Sequence, residues 1–266
     1  MKYVSHPKLV VFSCVSCSCC DRERESELID GVLLRHCCSL LVEVNLFSLD
    51  LYQRVFENDL LTQTRQFYSA ESQRLVVSMS VPDYLRAVEQ RLASEESRAD
   101  RYFDPSTKIK IRAILQEELI VRYAQRLVAD PASGAAHLLQ TGAIEDVGRM
   151  YSLFCREPHT LVPLREALTT LVRSTGAAIV SERVAPTVFV DRILSCRSHF
   201  LRVVTESFRE DRNFAHALKD ALEHAINLDS RAAMYLSAYT DEIMRRQQGQ
   251  ASGGLSEKVT HHTHTI

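Results

Sequence analysis

Four cysteines crowd the start of the chain, and their spacing could support metal chemistry. Cys14, Cys17, Cys19 and Cys20 form a C-x-x-C-x-C-C cluster, and cysteine thiolates are common zinc ligands. A structural zinc site normally needs two ligand pairs separated by a structured loop, and the nearest histidine, His6, is isolated. Palmitoylation of the cluster is a second interpretation. A disordered or non-native leader is the third, and the sequence favours it.

A thiol and an imidazole four residues apart, Cys155 and His159, could act as a nucleophile and its base. Pro158 lies between them at an expected helix end, and neither an oxyanion loop nor a third orienting group accompanies them. We therefore expect a packed thiol. Three histidines near the C-terminus could hold a metal weakly, but they fit a solvated tail better: His261, His262 and His264.

Two pairs of adjacent carboxylates, Glu95/Glu96 and Glu117/Glu118, could suggest acid–base chemistry. Adjacent helical residues diverge by about 100°, so neither pair can converge on one substrate atom. We interpret both pairs as solvated helix faces. The chain also lacks the G-x-G-x-x-G, G-x-x-x-x-G-K-[ST], H-E-x-x-H and G-x-S-x-G patterns. The sequence thus predicts a non-enzymatic protein without catalytic residues, cofactor or metal.

The composition is that of a soluble globular protein with long helices. Of 266 residues, 45% are hydrophobic and 25% charged, and glycine (8) and proline (7) are scarce. A net charge of −2 argues against nucleic acid or a membrane surface as the main partner. Apart from a poor signal-peptide-like run at Lys8–Cys20, nothing indicates secretion, so we expect a cytoplasmic or nuclear protein. Four further cysteines are predicted to be buried thiols of a reducing compartment: Cys37, Cys38, Cys155 and Cys196.

Apolar residues recur at helical spacing along most of the chain, which predicts an all-α fold. The predicted helices cover 28–44, 50–78, 83–102, a segment from Ser106 or Thr107 to about 128, 135–140, 143–156, 160–175, 186–208, 211–227 and 230–246. Gly142 should end the short helix and Gly176 should cap helix 160–175. On helix 83–102, we expect the polar residues to face water: Glu89, Glu95, Glu96, Arg98 and Arg101.

This pattern divides the chain into four parts. Residues 1–27 are an irregular Cys-rich leader, 28–142 a first helical bundle, 143–248 a second bundle, and 249–266 a disordered tail with Gly253-Gly254.

Five stretches, in order, resemble the N-terminal region of cullins. They are LYQRVFENDLLTQTRQFYSAESQRL (51–75), VPDYLRAVEQRL (81–92, followed by Glu95, Glu96, Arg98 and Tyr102), EDVGRMYSLFCR (145–156), DRNFAHALKDALEHAIN (211–227) and YLSAYTD (235–241). The YSAESQRL stretch leans toward the fourth cullin subfamily, whose adaptor is a β-propeller. The resemblance implies five-helix cullin-repeat bundles, the second and third repeats, stacked into an elongated rod.

The resemblance also implies a role as a ubiquitin ligase scaffold. Such a rod holds an adaptor with its substrate receptor at one end and a RING protein at the other, supplying proximity and orientation rather than a nucleophile. The residues expected to matter are therefore packing residues: Tyr52, Phe56, Tyr68, Leu85, Leu92, Met150, Tyr151, Phe154, Phe214 and Ile226.

The chain departs from the family pattern at both ends. The Cys-rich leader stands where most of the first, adaptor-binding repeat is expected, and the C-terminal region that binds the RING protein is missing. We therefore expect a partial scaffold, which would reach a RING protein only if another chain supplies that region. The alternative is a helical-rod interaction or vesicle-tethering protein unrelated to ubiquitin. Co-purified partners would discriminate between the two.

Overall fold

A computed structural model describes residues 18–44, 48–182, 184–228 and 230–250, with side chains up to residue 245 in the last range. All regular structure in these ranges is helical, which confirms the predicted all-α fold. After α1 (18–24), the helices are α2 (Gly31–Glu43), α3 (Asp50–Tyr52), a π-helical turn (Gln53–Glu57), α4 (Asn58–Ser78), α5 (Val81–Tyr102), α6 (Pro105–Leu119), a 3₁₀ turn (Val121–Tyr123), α7 (Ala124–Ala129), α8 (Ala135–Thr141), α9 (Ile144–Phe154), a 3₁₀ turn (Pro158–Thr160), α10 (Leu161–Ser181), α11 (Pro186–Ser207), α12 (Arg212–Ile226) and α13 (Arg231–Gln250).

Short polar side chains start several of these helices by accepting a hydrogen bond from the first turn. Ser80 caps α5 by accepting from the Asp83 N–H. Asp104 caps α6, rather than the predicted Ser106 or Thr107. Pro105 occupies the first turn of the helix, and the side chain of the preceding residue, Asp104, accepts a hydrogen bond from the Ser106 N–H. Gly142 ends α8 in the left-handed conformation (φ 69°), as predicted.

Helical structure extends into both of the terminal segments that were predicted to be irregular. Residues 18–24 form a helical segment that the sequence assigned to the irregular leader, and that segment is held by the burial of Arg24. At the other end, α13 continues to Gln250. Residues 1–17 of the predicted leader, with Cys14 and Cys17, and residues 251–266 of the predicted tail, with its three histidines, lie outside the described residues.

The chain divides into two compact units, Met1–Ala167 and Leu168–Ile266. In the first unit, α4, α5 and α6 pack together around buried aromatic residues such as Tyr68 and Tyr84. In the second, α11 packs against α12 and α13, and the ring centroids of Phe189 and Tyr235 lie 5.4 Å apart. The predicted division into repeats at 142/143 stays a prediction. No helix within the described ranges is both long and apolar enough to cross a membrane.

Gly176 does not cap a helix, as the sequence suggested, but lies inside α10, which continues to Ser181. A Cβ atom built on Gly176 would come within 2.4 Å of the Ala225 Cβ in α12. The glycine is therefore needed for close approach of two helices of the second unit, and not for a left-handed turn.

Replacing Gly176 with alanine should destabilise the second unit by about 1–3 kcal/mol, because the added methyl group must push α10 away from α12. This loss outweighs the gain of about 1 kcal/mol in helix propensity. Urea unfolding followed by circular dichroism measures the change. The exposed neighbour Ser174 is a matched control, and Ser174→Ala should change stability by less than about 0.5 kcal/mol. Stabilisation by Gly176→Ala would contradict this account of the glycine.

Candidate functional site

The packing residues singled out by the resemblance are placed inside the two units rather than on a surface. Nine have at most 7% of their surface exposed: Tyr52, Phe56, Tyr68, Leu85, Leu92, Met150, Tyr151, Phe154 and Phe214. The tenth, Ile226, is half-buried and packs against the core of Val180, Phe189 and Val190. Their importance for the family's scaffold stays a prediction.

The cysteines inside the helical region have different environments. Cys38 is buried, Cys37 and Cys196 are half-buried, and burial raises the pKa of the Cys196 thiol. Cys155 is exposed, so the expectation of a packed thiol is wrong. The reason is its place at the C-terminal end of α9, where the helix stops and the side chain leaves the apolar face. His159 is also exposed, in the 3₁₀ turn that follows.

The adjacent carboxylates diverge, as helical geometry requires, but one member of each pair is buried. Glu95 and Glu118 have 1% and 0% of their surface exposed, whereas Glu96 is half-buried and Glu117 exposed. The interpretation of both pairs as solvated faces is therefore wrong for Glu95 and Glu118. Arg98, also predicted to face water, has only 5% exposed.

A signal for Glu95 was present in the spacing of α5. The buried residues of this helix recur at intervals of three and four: Val81, Leu85, Val88, Leu92, Glu95 and Ala99. Glu95 occupies a core position in this series, between Leu92 and Ala99. The charge of Glu95 favoured an exposed position, whereas its place in the spacing of α5 indicated a buried one.

Glu95 is the centre of a buried network that joins three helices of the first unit. Arg24 of α1 donates to both of its carboxylate oxygens, over 2.8 Å from Nε to Oε1 and 3.3 Å from Nη2 to Oε2. The Tyr68 hydroxyl of α4 donates to Oε1 over 2.7 Å, and Arg98 of α5 donates to the same oxygen. The carboxylate is therefore held by two cations and one phenol.

Arg24 makes two further hydrogen bonds. Nη2 donates to Thr64 Oγ1 over 2.7 Å, and Nη1 donates to Asp21 Oδ1 over 2.7 Å. The guanidinium carbon lies 5.2 Å from the Phe67 ring centroid and 5.4 Å from that of Tyr68, within reach of cation–π attraction. With 2% of its side chain exposed, Arg24 fixes the end of α1 on α4 and α5.

Glu23 extends the network toward the surface. Its carboxylate accepts from Arg98 Nε over 2.8 Å, from Arg101 Nη2 over 2.9 Å and from the Tyr102 hydroxyl over 3.2 Å. Consecutive residues of α1, Glu23 and Arg24, thus engage opposite charges on α5. The C-terminal end of α1 is thereby held against α5.

The charges of the network stabilise one another. Burial alone would raise the pKa of Glu95, but attraction to Arg24 and Arg98 and the hydrogen bond from Tyr68 lower it below its usual value. Burial and the neighbouring Glu95 carboxylate raise the pKa of Tyr68, so its phenol stays protonated. The network therefore contains an ionised carboxylate between two cationic guanidinium groups and one neutral donor.

Other buried carboxylates in the first unit are paired in the same way. Glu57, in the π-helical turn, accepts from Thr107 Oγ1 over 2.8 Å and from Lys110 Nζ over 2.7 Å, both on α6. Glu118 pairs with Arg65 and Arg122. Such pairs join α6 to the π-helical turn and to α4.

No group of three or more histidine, cysteine, aspartate or glutamate side chains in the described part of the chain is arranged to hold a metal ion.

The depressed pKa of Glu95 predicts a pH dependence of stability. A carboxylate whose folded-state pKa is lowered contributes stability above its unfolded pKa, near 4.5, and loses that contribution as the pH falls through the folded value. The difference in unfolding free energy between wild type and Glu95→Gln should therefore be largest near neutral pH and shrink below about pH 4.5. Urea unfolding at several pH values tests this, and a constant difference from pH 7 to pH 3 would contradict it.

Comparison with known proteins decides the family. The family model described as the cullin alpha solenoid domain matches residues 14–265, nearly the whole chain. The chain belongs to the cullin family. The all-α architecture is that of the cullin alpha solenoid, in agreement with the fold predicted from the sequence.

This cullin chain is similar to several curated relatives. It is 32% identical to Cullin-3A of Arabidopsis thaliana over 228 residues, which cover 85% of the chain and 31% of the relative. It is 29% identical to Cullin-3 of Dictyostelium discoideum, over 85% of the chain and 30% of the relative. Cullin-2 of Arabidopsis thaliana is 28% identical over 90% of the chain and 34% of the relative. The chain spans about a third of the length of the curated relatives it matches.

The leaning toward the fourth subfamily is corrected by these matches, because relatives named Cullin-3 stand among them at up to 32% identity. The YSAESQRL stretch is only eight residues long, and such a short segment of one helix carries little subfamily information.

Proposed function

We propose that this cullin chain is a non-catalytic scaffold segment of a cullin-RING ubiquitin ligase, acting in ubiquitin-dependent protein degradation. The observation that carries the proposal is the family match over residues 14–265. The site chemistry supports it, because the buried polar groups around Glu95 and Glu57 are engaged with one another. A scaffold contributes proximity and orientation, for which fixed helix positions are the physical requirement.

The partners that follow are proteins. We propose an adaptor with its substrate receptor as the direct partner, and a RING protein as the further component that such a ligase requires. The β-propeller type of adaptor loses its support together with the fourth-subfamily assignment. Such complexes would place the chain in the cytoplasm or the nucleus.

The test is a pull-down of the tagged full-length chain from extract of its native cells, with mass spectrometry of the retained proteins. Recovery of a ubiquitin ligase adaptor, a substrate receptor or a RING protein supports the proposal. Recovery of vesicle-tethering subunits instead would favour the alternative helical-rod function. A chain that is folded by circular dichroism but retains neither class would contradict the scaffold role.

Two variants at adjacent positions make the pull-down specific. Glu96→Ala, at a half-buried position on α5, should retain the same partners as wild type. Glu95→Ala removes the centre of the buried network and should retain less of any partner that recognises the folded first unit. Equal retention by both variants would indicate that the partner does not require the folded first unit.

A further inference from the structure

Helix α2 carries an apolar stripe on its outer side. Leu33, Leu40 and Val44 have 59%, 55% and 73% of their surface exposed, and half-buried Cys37 lies between them. The adjoining side of the helix, about 100° around its axis, is directed into the first unit through Leu34, Cys38 and Leu41. An exposed apolar line on one helix differs from scattered apolar residues and indicates an interaction surface.

The spacing of the stripe is that of a helix–helix seam. Residues 33, 37, 40 and 44 follow one another at intervals of four, three and four, the pattern that keeps side chains facing one partner helix. The helix is 13 residues long, or about 20 Å at 1.5 Å per residue. A partner helix of similar length would cover the stripe completely.

We propose that the α2 stripe is the contact between two copies of this chain, which pack α2 against α2 antiparallel about a two-fold axis. In this arrangement Leu33 lies opposite Val44 of the second copy, and Cys37 lies opposite Leu40. Such a contact is self-complementary, because the same patch is used on both copies.

Charge determines the antiparallel direction. His36 and Glu43 are exposed on the same edge of the stripe. In an antiparallel pair this edge meets the same edge of the second copy, and His36 comes within about 3 Å of the other copy's Glu43 along the helix axis. Two such pairs form, one at each end. In a parallel pair the two equivalent edges lie on opposite sides of the seam, so His36 and Glu43 of one copy would not meet those of the other.

The experiment is sedimentation velocity of the full chain in reducing buffer over a range of concentrations. We expect a monomer–dimer equilibrium. The double variant Leu33→Ser/Leu40→Ser should raise the dimer dissociation constant by roughly 100-fold, since it removes apolar area from both sides of the seam. Met234→Ser, at a 60% exposed position on α13, is the matched control and should leave the dissociation constant unchanged.

A charge swap tests the direction of packing. Glu43→Lys alone should raise the dissociation constant about fivefold, and His36→Glu combined with Glu43→Lys should restore it. The proposal would be overturned if the chain is monomeric at all concentrations or forms open-ended assemblies. It would also be overturned if Met234→Ser raises the dissociation constant as much as the double variant does. Failure of the swap to restore dimerisation would overturn the antiparallel arrangement. Circular dichroism of each variant establishes that it is folded.

Discussion

Replacing Glu95 with alanine is expected to lower the unfolding free energy of the first unit by about 3–5 kcal/mol. The substitution removes the acceptor shared by Arg24, Arg98 and the Tyr68 hydroxyl. Two guanidinium groups, 2% and 6% exposed, then remain buried near one another without their common counter-charge. Arg24 keeps Asp21 and Arg98 keeps Glu23 as partners, so the cost is that of two buried cations left with one carboxylate each, and it exceeds the loss of a single hydrogen bond.

Glu96 is the control for this prediction, because it is the same residue type one position further along α5. Its ion pair with Arg112 is partly exposed, and exposed pairs contribute at most about 1 kcal/mol. Urea unfolding followed by circular dichroism gives both free energies. Hydrogen exchange of the α4 and α5 amides locates the change, which should be confined to the first unit. Similar losses for Glu95→Ala and Glu96→Ala would refute the assigned role of the network.

Glu95→Gln is expected to cost less than Glu95→Ala. The amide oxygen can still accept from Tyr68 or Arg24, but it cannot neutralise either guanidinium group. The ranking wild type, Glu95→Gln, Glu95→Ala would separate charge compensation from hydrogen bonding alone.

The second large effect is expected for Phe56→Ala, which should destabilise the first unit by about 3–5 kcal/mol. Phe56 is fully buried in the π-helical turn between α3 and α4. Its ring centroid lies 5.5 Å from that of Tyr52 and 5.6 Å from that of Phe103. Truncation leaves a cavity lined by these rings, and helices held on several sides cannot collapse to fill it.

Val77→Ala is the control, since Val77 lies on α4 with 73% of its surface exposed and should change stability by less than about 0.5 kcal/mol. Denaturant titration measures both variants, and Phe56→Leu should recover part of the loss because it refills most of the cavity. A loss below about 1 kcal/mol for Phe56→Ala would show that the region around the π-helical turn can repack.

These two sites stabilise the same unit by different means, and both bear on the proposed scaffold. The Glu95 network orients helices through directional charge contacts, whereas Phe56 fills the space between them. A variant that loses partner retention in proportion to its loss of stability would point to fold maintenance. A variant that loses retention while remaining folded would identify a residue that contacts the partner.

The helices were predictable from the sequence, because helix formation depends on local periodicity and on local start and stop residues. The predicted ranges 50–78, 186–208 and 211–227 agree closely with the structure. Gly142 was identified as a helix end because a left-handed residue favours glycine whatever surrounds it. The ordered stretches that resemble cullins were also sufficient to identify the family, since they depend on residue order alone.

Which residues of those helices are buried depends on tertiary contacts and could not be read from the local sequence. Glu95 looked exposed because charged residues usually are, and its burial depends on Arg24, 71 residues away in the chain. Gly176 looked like a helix end because the neighbouring Ala225 of α12 cannot be seen from local sequence. On α2, the apolar residues Leu33 and Leu40 face outward, although their residue type is typical of a core. Burial is a property of contacts between distant segments, so local pattern can predict a helix without specifying which of its sides is covered.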